Sequence, residues 1–447
     1  MKLNEIQKKY LLNRTEVLLY VANKEETKAI KEKLTLMNVF INIDLVVGEQ
    51  TVLFFKYHNY HVALLVGESI GGRACYNVIS KVGKEFPNLQ YVVNIGCCAT
   101  TLKKAGNQVI FAERVFDADL RKEEKDGTKY SISENKHTLL SNRINTNCEK
   151  LFGKDYKLIF GPIVASAAVV KSIKLKKRYY KTYPYAKAIE MEGIAISDYA
   201  IGRGIEWILI KGVSDNGVRK NGSEGQYNAT ANAFSVFMRL LEHSMLDLQR
   251  MKVFVGGAVK DVDDSTALNI EDNCAALGNT LFKNDCKIIN GLGAIVGNSL
   301  VAAAYVYRKN EDEVPFSSLI DLYPFPRTQD KNRKMNALSL YEKNRNVMIN
   351  QCVVSLFIYG RDRKSDEYNG LANESDKAGA IGIPRIVVPT KAFLSQKLYQ
   401  IIKDNFYDGI KDKEYITLFD SLEDKPFNKQ IEIVVSLLKQ LDDVLYK

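Results

Sequence analysis

No stretch of this sequence is apolar over the length needed to cross a bilayer, and the opening MKLNEIQKKYLLNRTE has no signal-peptide apolar centre. A cytoplasmic protein without membrane contact is the expectation. The seven cysteines form no Cys-x-x-Cys pair and sit mostly in apolar segments, which points to reduced thiols rather than disulfides or zinc. Four scattered histidines are too few for a metal cluster, so no metal is expected. Charge of one sign is also missing as a block. The net +10 comes from 63 basic and 53 acidic residues that are interspersed, as on a solvated surface. Nucleic acid is therefore not an expected partner, and nucleotide phosphates are the anions to consider. What is present is apolar content, 46% of 447 residues, enough for two or three domains.

Residues 187–215, KAIEMEGIAISDYAIGRGIEWILIKGVSD, read as strand, helix, strand. Apolar alternation covers 187–191 and helix-compatible spacing covers 193–200. Gly202 and Gly204 break that helix, and 207–213 is an apolar run suited to a strand buried on both faces. In parallel α/β sheets ligands sit beyond the carboxyl ends of the strands. Glu192 follows one strand and Asp215 ends the next, so both carboxylates should face one crevice. Cleaving an N-glycosidic bond builds positive charge on the sugar and negative charge on the base, and a carboxylate beside each lowers that barrier.

Glu190-Met191-Glu192, with Ser214-Asp215 downstream, resembles the purine nucleoside phosphorylase and methylthioadenosine/adenosylhomocysteine nucleosidase superfamily. The resemblance implies an α/β domain with a central mixed sheet. It implies that Glu192 with Met191 holds the ribose and that Asp215 protonates purine N7. Residues 16–23 read as a first strand and Glu25 and Glu26 open the helix after it, where acidic residues also serve the helix N-terminus. Set against the family's glutamate-rich turn, Glu25 takes the water-activating place. Residues 39–47 and 52–57 suggest a hairpin-like pair and 60–66 a further strand. Small-residue turns follow at 67–72 and after strand 91–95. By resemblance Gly96, Cys97, Cys98 and Ala99 line the base pocket, and Val169 stands where the family has an aromatic ring. Cys97 has no nearby histidine, and a buried inert thiol is the simpler reading. The phosphorylases have an arginine where this chain has Asn94, and a phosphate loop where it has Asn23-Lys24-Glu25-Glu26. Hydrolysis is therefore favoured over phosphorolysis, with Arg73 as a residual phosphate contact. Arg219, in the basic loop after Asp215, suits a 5′ phosphate if that loop is not simply solvated.

A second unit begins at Lys252 after a linker at 247–251. KVFVGGA reads as a strand ending in Gly256 and Gly257. CKIIN is a second strand, followed by a turn holding Gly291, Gly293, Gly297 and Asn298 ahead of a helix, a plausible phosphate cradle. Arg345 opens a further helix, strand 352–360 follows, and within 378–389 residues 383–389 supply another strand. The pattern resembles the SLOG superfamily of Rossmann-like domains, in the branch attached to Sir2 and TIR enzymes of bacterial anti-phage systems. That resemblance implies a sensor for a cyclic ADP-ribose isomer, read by Gly256, Gly257, Gly291, Gly293, Gly297, Asn298 and Arg345. A surface ion pair with Glu342 is the other reading of Arg345. The expected boundaries are 1–247 for the catalytic domain and 252–447 for the sensor.

Three functions stay open on the sequence. One is a purine N-ribosyl hydrolase, acting on adenine nucleosides or nucleotides and gated by the cyclic nucleotide. Another is a metabolic nucleosidase or phosphorylase with an accessory domain, and the third a nucleotide-binding module without catalysis. No cofactor is implied, and a homo-oligomer is implied by the family.

Overall fold

In the computed structural model two compact units are formed, 15–248 and 249–447, with the first fourteen residues belonging to the second. The structure describes residues 5–39, 43–100, 107–124, 127–130, 134–136, 139–147, 152, 157–167, 169, 172–183, 185–216, 222–311, 314–325, 331–361, 370–405 and 407–446. Among them no helix is long and apolar enough to cross a membrane.

The chain opens with helix α1 (Glu5–Arg14), which belongs to the C-terminal unit and so corrects the expected 1–247 boundary. The physical reason lies in Tyr10, fully buried in that unit's core with its hydroxyl donating to Asp442 at 2.5 Å. The N-terminal unit then begins with β1 (Val17–Val21), buried throughout, and α2 (Lys24–Leu36). A meander follows: β2 (Ile43–Val47), β3 (Gln50–Tyr57) and β4 (Tyr60–Val66), paired antiparallel as the hairpin pattern predicts. Next come α3 (Gly72–Gly83), β5 (Tyr91–Thr100) and β6 (Gln108–Asp117). A ribbon of β7 (Arg121–Glu124) and β8 (Gly127–Tyr130) precedes β9 (Glu134–Lys136) and α4 (Leu139–Thr146). The unit closes with β10 (Lys157–Ala165), α5 (Ile173–Thr182), β11 (Ala188–Glu190), α6 (Gly193–Arg203), β12 (Glu206–Asp215) and α7 (Gly222–Glu242).

Ten strands make one mixed sheet in the order β11-β10-β6-β12-β5-β1-β4-β3-β2, with β9 on β6. The central strands β12, β5, β1 and β4 run parallel, so their carboxyl ends share one edge. A bulge between Val213 and Asp215 sets two residues of β12 against one of β5, which re-aims the strand end. Helix α6 runs through Gly202 and stops at Gly204, whose φ of 66° supplies the left-handed cap.

Among the described residues the C-terminal unit has five parallel strands: β13 (Met251–Gly256), β14 (Cys286–Asn290), β15 (Ile320–Leu322), β16 (Val354–Ile358) and β17 (Arg385–Val388). Its helices are α8 (Asp264–Lys283), α9 (Val296–Asn310), α10 (Phe316–Leu319), α11 (Lys331–Asn350), α12 (Gly370–Ala380), α13 (Leu394–Asp404), α14 (Lys413–Asp420) and α15 (Phe427–Leu445). The sheet order β15-β14-β13-β16-β17 reverses direction between β13 and β16, the place where doubly wound sheets bind ligands. One expectation is corrected here: Arg345 lies near the end of α11 rather than at a helix start. The strand read at 383–389 is β17, and α12 ends before it.

The only tryptophan, Trp207, is buried on β12 and reports on the N-terminal unit. A Cβ on Gly212 of the same strand would stand 1.9 Å from the Ala229 carbonyl of α7. Gly212→Ala should therefore cost about 3 kcal/mol or more, read as a lower urea midpoint of Trp207 fluorescence.

Candidate active site

At the shared carboxyl edge of the N-terminal unit lies a cavity of about 130 Å³. Each wall comes from a strand end. Ala22, Asn23 and Glu26 follow β1, Cys97, Cys98 and Ala99 close β5, Met191 and Glu192 follow β11, and Ser214 and Asp215 end β12. Val169 lines the cavity while 43% exposed, so it borders the opening.

Glu25 does not line it, and this corrects the water-activating assignment: Glu26 does, and it is buried. The choice is made by helical phase. Asn23 caps α2 by accepting from the Glu26 amide at 3.0 Å, so Glu26 sits three residues after the cap and turns back. Its carboxylate accepts from Ala22 N at 2.9 Å and from Cys97 N at 3.0 Å. Gly96 permits this approach, since a Cβ there would stand 2.5 Å from Glu26 Oε1. The cap-and-glutamate spacing Asn23-x-x-Glu26 was the available sequence signal.

Glu190 and Glu192 divide their work. Glu190 accepts from the amides of Glu192 and Gly193 at 2.9 Å each, anchoring the N-terminus of α6. Glu192 accepts from Gly71 N at 3.0 Å. Behind both lies Lys211, which the sequence reading did not single out. Its side chain is 1% exposed, and its Nζ stands 3.3 Å from Glu190 and 3.3 Å from Glu192. Burial alone would lower the Lys211 pKa, and Glu190, Glu192 and Glu26 together hold it above the ordinary lysine range. Burial raises Glu26 above the usual carboxylate value, partly offset by Lys211 and reinforced by Glu192. A lone lysine inside the apolar run of a strand buried on both faces demands a partner, and that was its signal.

The Ser214 hydroxyl donates to Asp215 Oδ2 at 3.0 Å. Burial, with the Glu26 charge, pushes the Cys97 thiol up to about 12, which removes it as a nucleophile at neutral pH. Asn94 is buried and donates to Tyr20 O at 3.1 Å, tying β5 to β1, while Arg73 is exposed and outside the cavity lining. Gln226 of α7 is a further lining residue that sequence reasoning missed. Gly96 lies under the glutamate rather than in the lining. Arg219 lies outside the described residues.

The C-terminal unit holds a cavity of about 290 Å³ at its switch point. Gly256, Gly257, Gly291, Gly293 and Arg345 line it, joined by Lys260 and Arg361, which the sequence reading passed over. Gly297 and Asn298 do not: Gly297 is buried in the first turn of α9, and Asn298 on that turn points to solvent. The Arg345 guanidinium is 5.2 Å from the Phe325 ring centre, 3.0 Å from Glu342 and 3.6 Å from Glu374. The surface ion pair and the cavity position therefore coexist. Burial raises Glu374 to about 7 against the pull of Arg345.

The phosphorylase superfamily model matches residues 16–243, more than half of the chain. The chain belongs to that superfamily. Residues 238–441 match the Sir2- and TIR-associating SLOG family. Among curated proteins the chain is similar to the NAD(+) hydrolase ThsA of Acinetobacter baumannii, 23% identical over 48% of this chain and 45% of that protein. It is also similar to the NAD(+) hydrolase ThsA of Enterococcus faecium, at 24% over 43% and 40%. The chain thus matches less than half the length of these relatives. Among solved structures, the 5′-methylthioadenosine/S-adenosylhomocysteine nucleosidase of Helicobacter pylori superposes with a TM-score of 0.45 at 18% identity. That match covers 51% of this chain and 98% of the nucleosidase.

Replacing Lys211 by methionine leaves Glu26, Glu190 and Glu192 buried without their ammonium. A loss of about 3 kcal/mol is expected. Glu26 and Glu190, which burial already raises, would then bind protons more tightly folded than unfolded, so the loss should grow from pH 5 to pH 8. Urea titration of K211M and wild type at both pH values, followed through Trp207, measures this.

Proposed function

We propose that the N-terminal unit hydrolyses the N-glycosidic bond of a purine nucleoside or nucleotide, with adenine as the base. The observation that carries this reading is the convergence of Glu26, Glu192 and Asp215 on one cavity. In this reading Glu192, flanked by Met191, accepts hydrogen bonds from the ribose hydroxyls. Glu26 takes a proton from water as the water oxygen bonds to C1′. The C1′–N9 bond breaks with its electron pair on the base, and N7 takes its proton from Asp215. Glu190, Glu192 and Glu26 line the cavity, and no lysine or arginine is among the described lining residues. Such a wall repels inorganic phosphate and favours water as nucleophile.

The second part of the proposal concerns the C-terminal cavity. Lys260, Arg345 and Arg361 bring cations to a glycine-lined switch point, and Phe325 adds a ring face. That chemistry suits a nucleotide with phosphates and a base, and we take it as the site of a cyclic ADP-ribose-type signal that gates hydrolysis in anti-phage defence. Support comes from the match to a family associated with Sir2 and TIR. A homo-oligomer in the cytoplasm is part of the same proposal.

The test is base release by the full chain from adenosine, methylthioadenosine, AMP, ATP and NAD+, with and without phosphate and with and without cyclic ADP-ribose isomers. Adenine freed without phosphate, and only with the signal, is the expected result. Phosphate-dependent or signal-independent release would replace the gated hydrolase by a metabolic enzyme. D215N and E26Q should each lower turnover roughly a hundredfold or more, with E25Q near wild type. Equal losses in E25Q and E26Q would refute the role given to Glu26. Because burial raises Glu26 and the base must be ionised, the acid limb of the rate should lie above the ordinary glutamate pKa of about 4.3.

A further inference from the structure

We propose that α1 is a strap through which the sensor cavity acts on the catalytic strand β1. The inference rests on the gated reading above, and it supplies a route for the gating. The chain passes between its units at Arg14–Thr15 and again at Leu248–Gln249.

The first passage has no slack on either side. On the side of the C-terminal unit, Tyr10 is fully buried in the core, and Gln7 donates to the Leu445 carbonyl at 3.0 Å. Arg14 pairs with Asp442 at 3.5 Å. On the side of the N-terminal unit, the Glu16 carbonyl accepts from the amides of Gln90 and Tyr91 at 2.9 and 3.0 Å. The Glu16 amide in turn donates to the His61 carbonyl at 3.2 Å. An extended residue spans at most ~3.6 Å, so a displacement at Asn13 has no loop in which to dissipate before Val17.

Asn13 links that segment to the sensor cavity. Its amide donates to the carbonyls of Asn350 at 3.0 Å and Cys352 at 2.6 Å, where α11 ends and its carbonyls need donors. Arg345 sits on the same helix, about 7.5 Å along its axis from Asn350. Arg345 is held by Glu342 and Glu374. An anionic ligand competes with those carboxylates for the guanidinium, and any shift of α11 that follows reaches Asn13 directly. Beyond Asn13 the chain enters β1, and the residue after β1, Ala22, donates its amide to Glu26. The path from Arg345 to the proposed base thus runs through one helix, one side-chain amide and one strand.

The experiment compares the full-length chain with a variant carrying a Gly-Ser-Gly-Ser insertion between Arg14 and Thr15, which lengthens the segment and keeps every native side chain, and with N13A. Cyclic ADP-ribose isomers serve as the probes, with binding measured by calorimetry and base release by chromatography. Expected for both variants are probe affinity within about twofold of wild type and no release without the probe, with probe-stimulated release reduced roughly tenfold. Undiminished stimulation in both variants overturns the strap. Amide exchange gives a readout that needs no ligand: residues 17–26 should exchange faster in the insertion variant than in wild type. Equal protection there overturns the strap as well. Failure of the gated reading shows differently, as hydrolysis by the wild-type chain that ignores every probe, and it removes the strap's function before any variant is compared.

Discussion

A single buried ammonium holds the edge of the N-terminal unit together. Lys211 faces Glu190 and Glu192 at salt-bridge distance and feels Glu26 electrostatically, in a setting closed to water. Three carboxylates gathered without it would repel one another and resist desolvation, and the strand ends that carry them would not close into a cavity. With it, each carboxylate is free to take a separate task. Glu190 anchors α6, Glu192 holds the turn at Gly71 and looks into the cavity, and Glu26 reaches across from α2 to the end of β5.

The two cavities solve opposite electrostatic problems with the same backbone geometry. Both lie beyond the carboxyl ends of parallel strands. The N-terminal one is walled by acids and its ammonium is withdrawn behind them, which suits a neutral sugar and a developing cation. The C-terminal one brings Lys260, Arg345 and Arg361 to a glycine-lined floor, which suits phosphate. A nucleotide whose phosphates belong in the second cavity has no counter-charge among the described lining residues of the first.

Much of this was legible one segment at a time. The strand–helix–strand over 187–215 followed from local periodicity, and Glu192 and Asp215 came with it, because a strand's end is fixed by its own residues. Glu26 was harder. It adjoins Glu25 at the start of the same helix, and about 100° of helical rotation decides which carboxylate reaches Cys97. Lys211 was passed over because a lysine in a strand ordinarily reads as a solvent-facing residue, and only the sheet on one side and α6 on the other bury it. Val169, Cys97, Cys98 and Ala99 reached the cavity lining, whereas Gly297 and Asn298 lie in the helix turn beneath their loop.

The sequence by itself determined the two α/β units, where along the chain most of their strands lie and the carboxylates at two strand ends, since these depend on patterns within about thirty residues of chain. Tertiary structure alone decided which of two adjacent glutamates enters the cavity, what neutralises the acids and where the first helix belongs. Helix α1 illustrates the reason. Its partners Asn350, Cys352, Asp442 and Leu445 lie more than three hundred residues away in sequence, and no local pattern encodes a contact that exists only after the C-terminal unit has folded.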